Sequence, residues 1–165
     1  MNGLDPEPMV KSGSAGYIRK QVRELAAQKA VASAGDRQGL VLGSDTVVVL
    51  GRTVLGKPRD LEEAQEMLAK LSGKTHLVVT GVALYDTLTG AIEKRSSTSQ
   101  VTFRSLTEGE RKAYCARFDV LDKAGAYAIQ DIGDVFVARF SGSLDTIIGL
   151  PMAKVTTLLK GYSII

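Results

Sequence analysis

Asp45 is flanked by Val41, Leu42, Val47, Val48 and Val49. A carboxylate in such company must either be exposed at a break in a strand or have a partner, because an unpaired buried charge is costly. It reads equally well as a turn aspartate bonding its own backbone within Gly43-Ser44-Asp45 and as a functional acid. Lys57 stands between Gly56 and Pro58, on a stiff loop that can hold a cation over a ligand with little entropy lost; a solvated loop lysine is the plainer alternative. Lys29 continues the helical stripe of Val22, Leu25 and Ala26, so it either snorkels outward or faces a site. The segment from Asp122 through Lys123, Gly125 and Tyr127 to Gln130 packs two charges, small residues and a terminal amide into an aperiodic stretch. That composition suggests a loop entering a strand beside a ligand rather than an ordinary connection. Ser141-Gly142-Ser143 and Gly149-Leu150-Pro151 offer backbone N–H groups to an anion, as any junction into a helix does.

The elements that must position these groups follow from periodicity. Leu4 to Ser14 reads as a loop. Ile18, Val22, Leu25, Ala26 and Ala30 recur at helical spacing over Ala15 to Ala34, with Ser14 as N-cap and Gly35 as stop. Leu40 to Leu50 is strand-like but interrupted at Gly43-Ser44-Asp45, and a turn at Gly51-Arg52 leads to Thr53-Val54-Leu55. Asp60 and Glu63 have the form of a capping box opening a helix with Leu61, Ala64, Met67, Leu68 and Leu71 inward, ending at Ser72-Gly73. His76 to Tyr85 and Ser99 to Phe103 pair as a long hairpin about the Asp86 to Gly90 turn. Thr107 and Glu110 open a short helix through Phe118, Val135 to Phe140 alternates as a strand, and Ile148 to Leu159 is a last helix with Pro151 in its first turn. Helices alternating with strands, one hairpin among them, predict an α/β fold with a mixed twisted sheet and flanking helices.

At 165 residues the chain has room for one domain, 1–165, with a single core. Hydrophobic residues at 44% against 24% charged exclude the composition of disordered chains. No apolar stretch approaches the roughly 18 residues of a membrane helix, and nothing after Met1 resembles a secretory signal; a cytoplasmic address is expected. One cysteine and one histidine leave little room for disulfides, zinc clusters or a histidine-based triad. The formal charge of +3 is mild, the basic residues are scattered, and aromatic residues make up only 5%. A small anionic ligand is therefore at least as good a partner as a nucleic acid, and an RNA-binding module is the less favoured reading.

The strings Gly43-Ser44-Asp45-Thr46-Val47-Val48, Gly56-Lys57-Pro58, Leu71-Ser72-Gly73 with His76, Thr80-Gly81-Val82-Ala83-Leu84, Val101-Thr102-Phe103, Asp122 through Gln130, and Gly149-Leu150-Pro151 occur in an order that resembles the Maf family of nucleoside triphosphate pyrophosphatases. The likeness covers roughly residues 17 to 160, and Asp122–Gln130 is its most specific string. It implies a fold of the Maf and inosine triphosphatase type with two lobes around a cleft, a homodimer, and cleavage of a triphosphate between its α- and β-phosphates. Within the family the chain resembles the branch acting on dTTP and UTP, which carries threonine after the catalytic aspartate, matched by Thr46, and glutamine at the end of the Asp122 segment, matched by Gln130. The resemblance implies that Asp45 activates water, that Lys29 and Lys57 hold the phosphates, that Ser44 and Lys123 contribute to the substrate site, and that Mg²⁺ or Mn²⁺ assists. Since an ordinary aspartate is a weak base at pH 7, ligation of the metal through Asp45 is as good a reading as direct proton abstraction. Family members open with a strand and a Ser-x-Ser-Pro-Arg-Arg loop that has no match here. The expectation is a chain shortened by roughly thirty residues relative to the family pattern, with a catalytically impaired nucleotide-binding regulator as the alternative function.

Overall fold

The computed structural model describes residues 9–164. Of the loop expected over Leu4 to Ser14, Leu4 to Pro8 lie outside the described residues; from Met9 the chain is irregular up to the Ser14 cap. Helix α1 (Ala15–Ala34) starts where Ser14 accepts the Tyr17 N–H and stops at Gly35. There follow β1 (Leu40–Leu50), β2 (Thr53–Leu55), α2 (Leu61–Leu71), β3 (Thr75–Asp86), β4 (Ile92–Phe103), α3 (Glu108–Arg117), a 3₁₀ turn at Ala124–Ala126, α4 (Ile129–Phe136), β5 (Val137–Ser141), α5 (Leu144–Ile148) and α6 (Met152–Lys160).

The five strands form one sheet in the order β2-β1-β3-β4-β5. The α/β class with flanking helices is as expected, but the mixed pairing is not: among the described residues all four pairings are antiparallel. The reason is topological. α2 does connect two strands of like direction, β2 and β3, as a crossover helix should, but β1 lies between them and runs against both.

β1 is unbroken through Gly43-Ser44-Asp45, pairing residue by residue from Leu40↔Asp86 to Val49↔Leu77; the interruption expected there does not form. Alternation along the strand sends odd and even residues to opposite faces. Val47 and Val49 join Ile18, Val22 and Val79 beneath α1, while Val48 and Val78 join Leu68, Leu71, Phe103 and Tyr127 in the larger core under α2 to α4. Val82 and Leu84 pack on Val155 and Leu158 of α6.

Several local expectations need correction. Asp60 caps α2 through the Glu63 N–H, but the Glu63 carboxylate turns to Arg59 N and Nε rather than completing the box, and Leu61 is exposed rather than core. The Thr107–Glu110 box is complete. The segment after Tyr127 enters α4, not a strand, and β5 begins only at Val137. The last helical stretch is two helices, because Gly149 in the left-handed region closes α5 and Pro151 caps α6.

His76 is buried, with its Nε2 2.7 Å from the Tyr127 hydroxyl and its ring edge-on to Phe103; Nδ1 has no hydrogen-bond partner among the described residues. Burial pushes its pKa from 6.5 down to about 4. A group whose folded pKa lies below its unfolded one binds fewer protons when folded. Its contribution is full above pH 6.5, falls as the pH drops towards 4, and then flattens. At about 1.4 kcal/mol per pKa unit, unfolding free energy is expected to fall by about 2–3 kcal/mol between pH 6.5 and 4.5. Since the chain has one histidine, urea titrations of His76→Gln should be flat across that window. The paired carboxylates act lower: the Arg104 guanidinium holds Glu110 at about 2, so its contribution is lost only as the pH falls below 4.5. A histidine-free chain with an unchanged slope would show that His76 does not set it.

Candidate functional site

β2 pairs only with Val48, Val49 and Leu50, so among the described residues no strand pairs the outer edge of Leu40–Val47. Along that edge both faces of β1 open into one cleft of about 590 Å³, within the usual range for a small-ligand site.

Gly43, Asp45 and Gly81 face α1, since Asp45 and Gly81 are register partners and Gly43 is two residues from Asp45. A Cβ on Gly43 would lie 2.2 Å from the Ala26 carbonyl oxygen, and one on Gly81 2.4 Å from that of Val22. The absence of both side chains lets the α1 backbone lie directly on the sheet. Lys29, one turn beyond Leu25 and Ala26, is thereby brought over Asp45, with Nζ 2.6 Å from Oδ1. Asp45 is mostly buried, and Lys29 keeps 40% of its side chain exposed at the cleft.

The opposite wall is the Asp122–Gln130 segment. Gly125 holds φ +67, and a Cβ there would meet Val48 at 2.9 Å, so the segment lies flat on β1. Its N–H donates to the Gly56 carbonyl at 3.1 Å, which ties this loop to the one carrying Lys57. Lys57 Nζ then reaches Asp122 Oδ1 at 2.9 Å, and the lysine holds the Asp122 carboxyl below its usual range. Tyr114 supports the segment from behind, its hydroxyl accepting the Ala128 N–H at 3.2 Å; burial pushes its pKa up to about 12, so it stays a neutral phenol.

Lys29, Ser44, Asp45, Thr46, Lys57, Lys123 and Gln130 all line this one cleft, although they lie up to a hundred residues apart in sequence. The side chains of adjacent residues divide its chemistry: Asp45 faces α1 and the lysine, whereas Thr46 faces Thr80 and α5. Sequence reasoning missed Thr80, Thr146 and the pairing of Asp122 with Lys57. The only signal for Asp122 was its place in the charged segment; for the threonines there was none, because a threonine in a strand is ordinary.

Lys29, Lys57 and Lys123 with Asp45 and Asp122 make a cleft suited to a polyanion that brings more negative charge than the carboxylates already supply. No group of three or more histidine, cysteine or acidic side chains that could hold a metal occurs among the described residues. One aspartate with substrate oxygens and water is nonetheless a donor set that Mg²⁺ accepts. Asp45 therefore fits as a single protein ligand.

An antiparallel five-stranded sheet flanked by helices, with a lysine- and aspartate-lined cleft along β1, is the frame in which the Maf-like protein family model matches residues 6–162. The chain belongs to that family. It is 44% identical over 158 residues to a dTTP/UTP pyrophosphatase of Desulfitobacterium hafniense, covering 96% of this chain and 68% of that protein. It is 39% identical over 163 residues to a dTTP/UTP pyrophosphatase of Escherichia coli strain K12, covering 99% of this chain and 81% of the relative. A third dTTP/UTP pyrophosphatase, from Desulforamulus reducens, is 40% identical over 144 residues, 87% of this chain and 75% of its own length. Among the described residues no helix is long and apolar enough to cross a membrane.

Proposed function

We propose that this chain hydrolyses dTTP and UTP to the nucleoside monophosphate and pyrophosphate. The observation that carries the reading is the convergence of Lys29, Lys57 and Lys123 with Asp45 on one cleft, in a chain whose relatives are named for that reaction. Splitting a triphosphate between the α- and β-phosphates is mainly a matter of neutralising and aligning charge. Lys29 and Lys57 hold the phosphates from the two walls of the cleft, with Lys123 beside Lys57 on the adjoining loop. Lys29 approaches from α1 beside Asp45. The mostly buried Asp45 orients the water that attacks the α-phosphorus, and pyrophosphate leaves as its bond to that phosphorus breaks. A divalent cation, Mg²⁺ or Mn²⁺, held by Asp45 and phosphate oxygens, would supply further charge neutralisation. Ser44, Thr46 and Gln130 line the wall that receives the base. The cytoplasmic address belongs to the same proposal.

The test is product analysis with UTP and dTTP. Equimolar UMP and pyrophosphate are expected, with release stopping in excess chelator and returning on addition of Mg²⁺ or Mn²⁺. Orthophosphate and UDP as products would overturn the reaction, and saturable UTP binding without product would favour the regulator.

The homodimer is also proposed. Val135, Phe140, Leu144 and Ile148 lie around the outer strand β5 and α5 and are each 45–58% exposed, an apolar strip of the kind that marks interfaces. Light scattering should give twice the chain mass, and Phe140→Glu with Leu144→Glu should halve it; a monomeric parent chain would remove the dimer.

A further inference from the structure

His76 stands on β3 opposite Val101 of β4 and is 2% exposed. It does not line the cleft, whereas Tyr127 does. The two side chains meet behind the cleft wall. His76 Nε2 lies 2.7 Å from the Tyr127 hydroxyl, and the rings of His76, Tyr127 and Phe103 pack edge-on with centroids between 4.9 and 5.5 Å apart.

The pair is a costly choice for a core. Burial keeps the imidazole neutral at pH 7, so one ring nitrogen carries a proton and the other a lone pair. If the hydroxyl donates to Nε2, the proton sits on Nδ1, which has no partner among the described residues. If Nε2–H donates instead, the Nδ1 lone pair is left over. Either way a buried polar group goes unpaired, a cost that leucine and phenylalanine in the same places would avoid.

The segment that Tyr127 anchors gives this cost a use. Gly125 and Ala126, immediately before it, are both left-handed, with φ +67 and +63. Such a succession is unfavourable, above all for alanine, and persists only where its surroundings fix it. The buried Ala126 side chain offers only apolar contact; the directed contact beside it is the one from Tyr127 to His76. The turn in turn places the lysines of this wall. Lys123 accepts the Ala126 N–H through its carbonyl, and the Gly125 N–H donates to the carbonyl of Gly56, the neighbour of Lys57.

We propose that His76 is a positioning residue for the cleft: through the Tyr127 hydroxyl it pins the left-handed Gly125–Ala126 turn on β1 and thereby sets Lys123 and Lys57 where a triphosphate binds. This rests on the triphosphate hydrolysis proposed above. His76 touches neither ligand nor reacting atoms. Its loss lowers the fraction of molecules with a formed wall, which raises the apparent KM, while Asp45 and Lys29 on the other wall keep kcat.

The experiment measures UTP turnover and urea midpoints for the parent chain, His76→Leu, His76→Gln and the double variant His76→Leu with Tyr127→Phe, at a temperature where all are folded. His76→Leu is expected to raise KM by about tenfold with kcat within about twofold, since it strands the buried hydroxyl. His76→Gln should return KM to near the parent value, because its amide can bond the hydroxyl whichever group donates. The double variant removes both polar partners, so its midpoint should match or exceed the parent's while KM stays raised. A merely structural pair would leave KM unchanged in the double variant, and that result overturns the pin. So does a rise in KM as large in His76→Gln as in His76→Leu. Should His76→Leu fail to fold, the double variant and His76→Gln decide alone. A parent that does not turn over UTP overturns the proposed reaction; the pin is then decided by the dissociation constant of a non-hydrolysable UTP analogue, whose equality in the parent and the double variant overturns it.

Discussion

Asp45→Asn is expected to lower pyrophosphate release by about 10²–10⁴-fold while leaving the urea midpoint close to that of the parent chain. The substitution is nearly isosteric and keeps an oxygen that can accept from Lys29 Nζ, now 2.6 Å away. It therefore removes charge and basicity with little change in packing. Burial sharpens the effect. With its side chain only 13% exposed, Asp45 is shielded from the solvent screening that makes surface carboxylates interchangeable with their amides. The loss should fall on kcat, because the lysines proposed to hold the phosphates, Lys57 and Lys123 on the opposite wall among them, are left in place. Lys57→Ala should show the converse, a raised KM with a smaller change in kcat. Turnover by Asp45→Asn within a few-fold of the parent would remove Asp45 from the reaction and shift attention to Asp122, the other carboxylate lining the cleft among the described residues.

The helices of the first half of the chain were legible because their signals are local: Ser14 and Gly35 bound α1, and Asp60 and Ser72 bound α2, where the periodic residues predict. β1 was misread at one place for a physical reason. Gly43-Ser44-Asp45 looks like a turn because glycine and a short polar pair favour turns, yet the strand runs through it, Gly43 being needed to admit the α1 backbone. The sequence has no local mark for a glycine required by a helix that packs on it from elsewhere in the chain. α4 was missed for a similar reason. Its eight residues include Gly133 outside helical geometry, so no helical stripe stands out, and the alternation from Val135 to Phe140 hid the boundary with β5. The mixed sheet was expected from the order of elements, which contains the crossover but cannot reveal that β1 inserts between the strands it connects. In the cleft, Lys29, Asp45, Lys57 and Gln130 were legible as unusual residue types in apolar or rigid settings. The hydroxyls behind the cleft walls were not, Thr80 bonding Thr46, Thr146 accepting from Thr80 through its carbonyl and Tyr114 holding the Ala128 N–H, since buried hydroxyls declare their role only through their partners.

Gly81→Ala and Gly43→Ala are expected to be among the most damaging single methyl additions in this chain. At Gly81 the new Cβ would stand 2.4 Å from the Val22 carbonyl oxygen, 2.5 Å from its carbon and 2.8 Å from the Arg23 nitrogen; at Gly43 it would stand 2.2 Å from the Ala26 carbonyl oxygen and 2.7 Å from the Ala30 nitrogen. These are backbone atoms within a 20-residue helix, so no side-chain rotamer relieves the overlap and α1 must lift from the sheet as a body. Overpacking of this kind typically costs about 1–3 kcal/mol and more where relaxation is blocked. A loss at or above the upper end is expected, read as a lowered urea midpoint with the slope unchanged. Lifting α1 also draws Lys29 away from Asp45, so activity should fall at temperatures where the variant is still folded. Gly109→Ala in α3 provides the opposite sign: a Cβ there meets nothing within 4 Å, and replacing glycine inside a helix should gain up to about 1 kcal/mol. If Gly81→Ala and Gly109→Ala shifted the midpoint alike, the close seating of α1 on β1 and β3 would be wrong, and with it the geometry that brings Lys29 to Asp45.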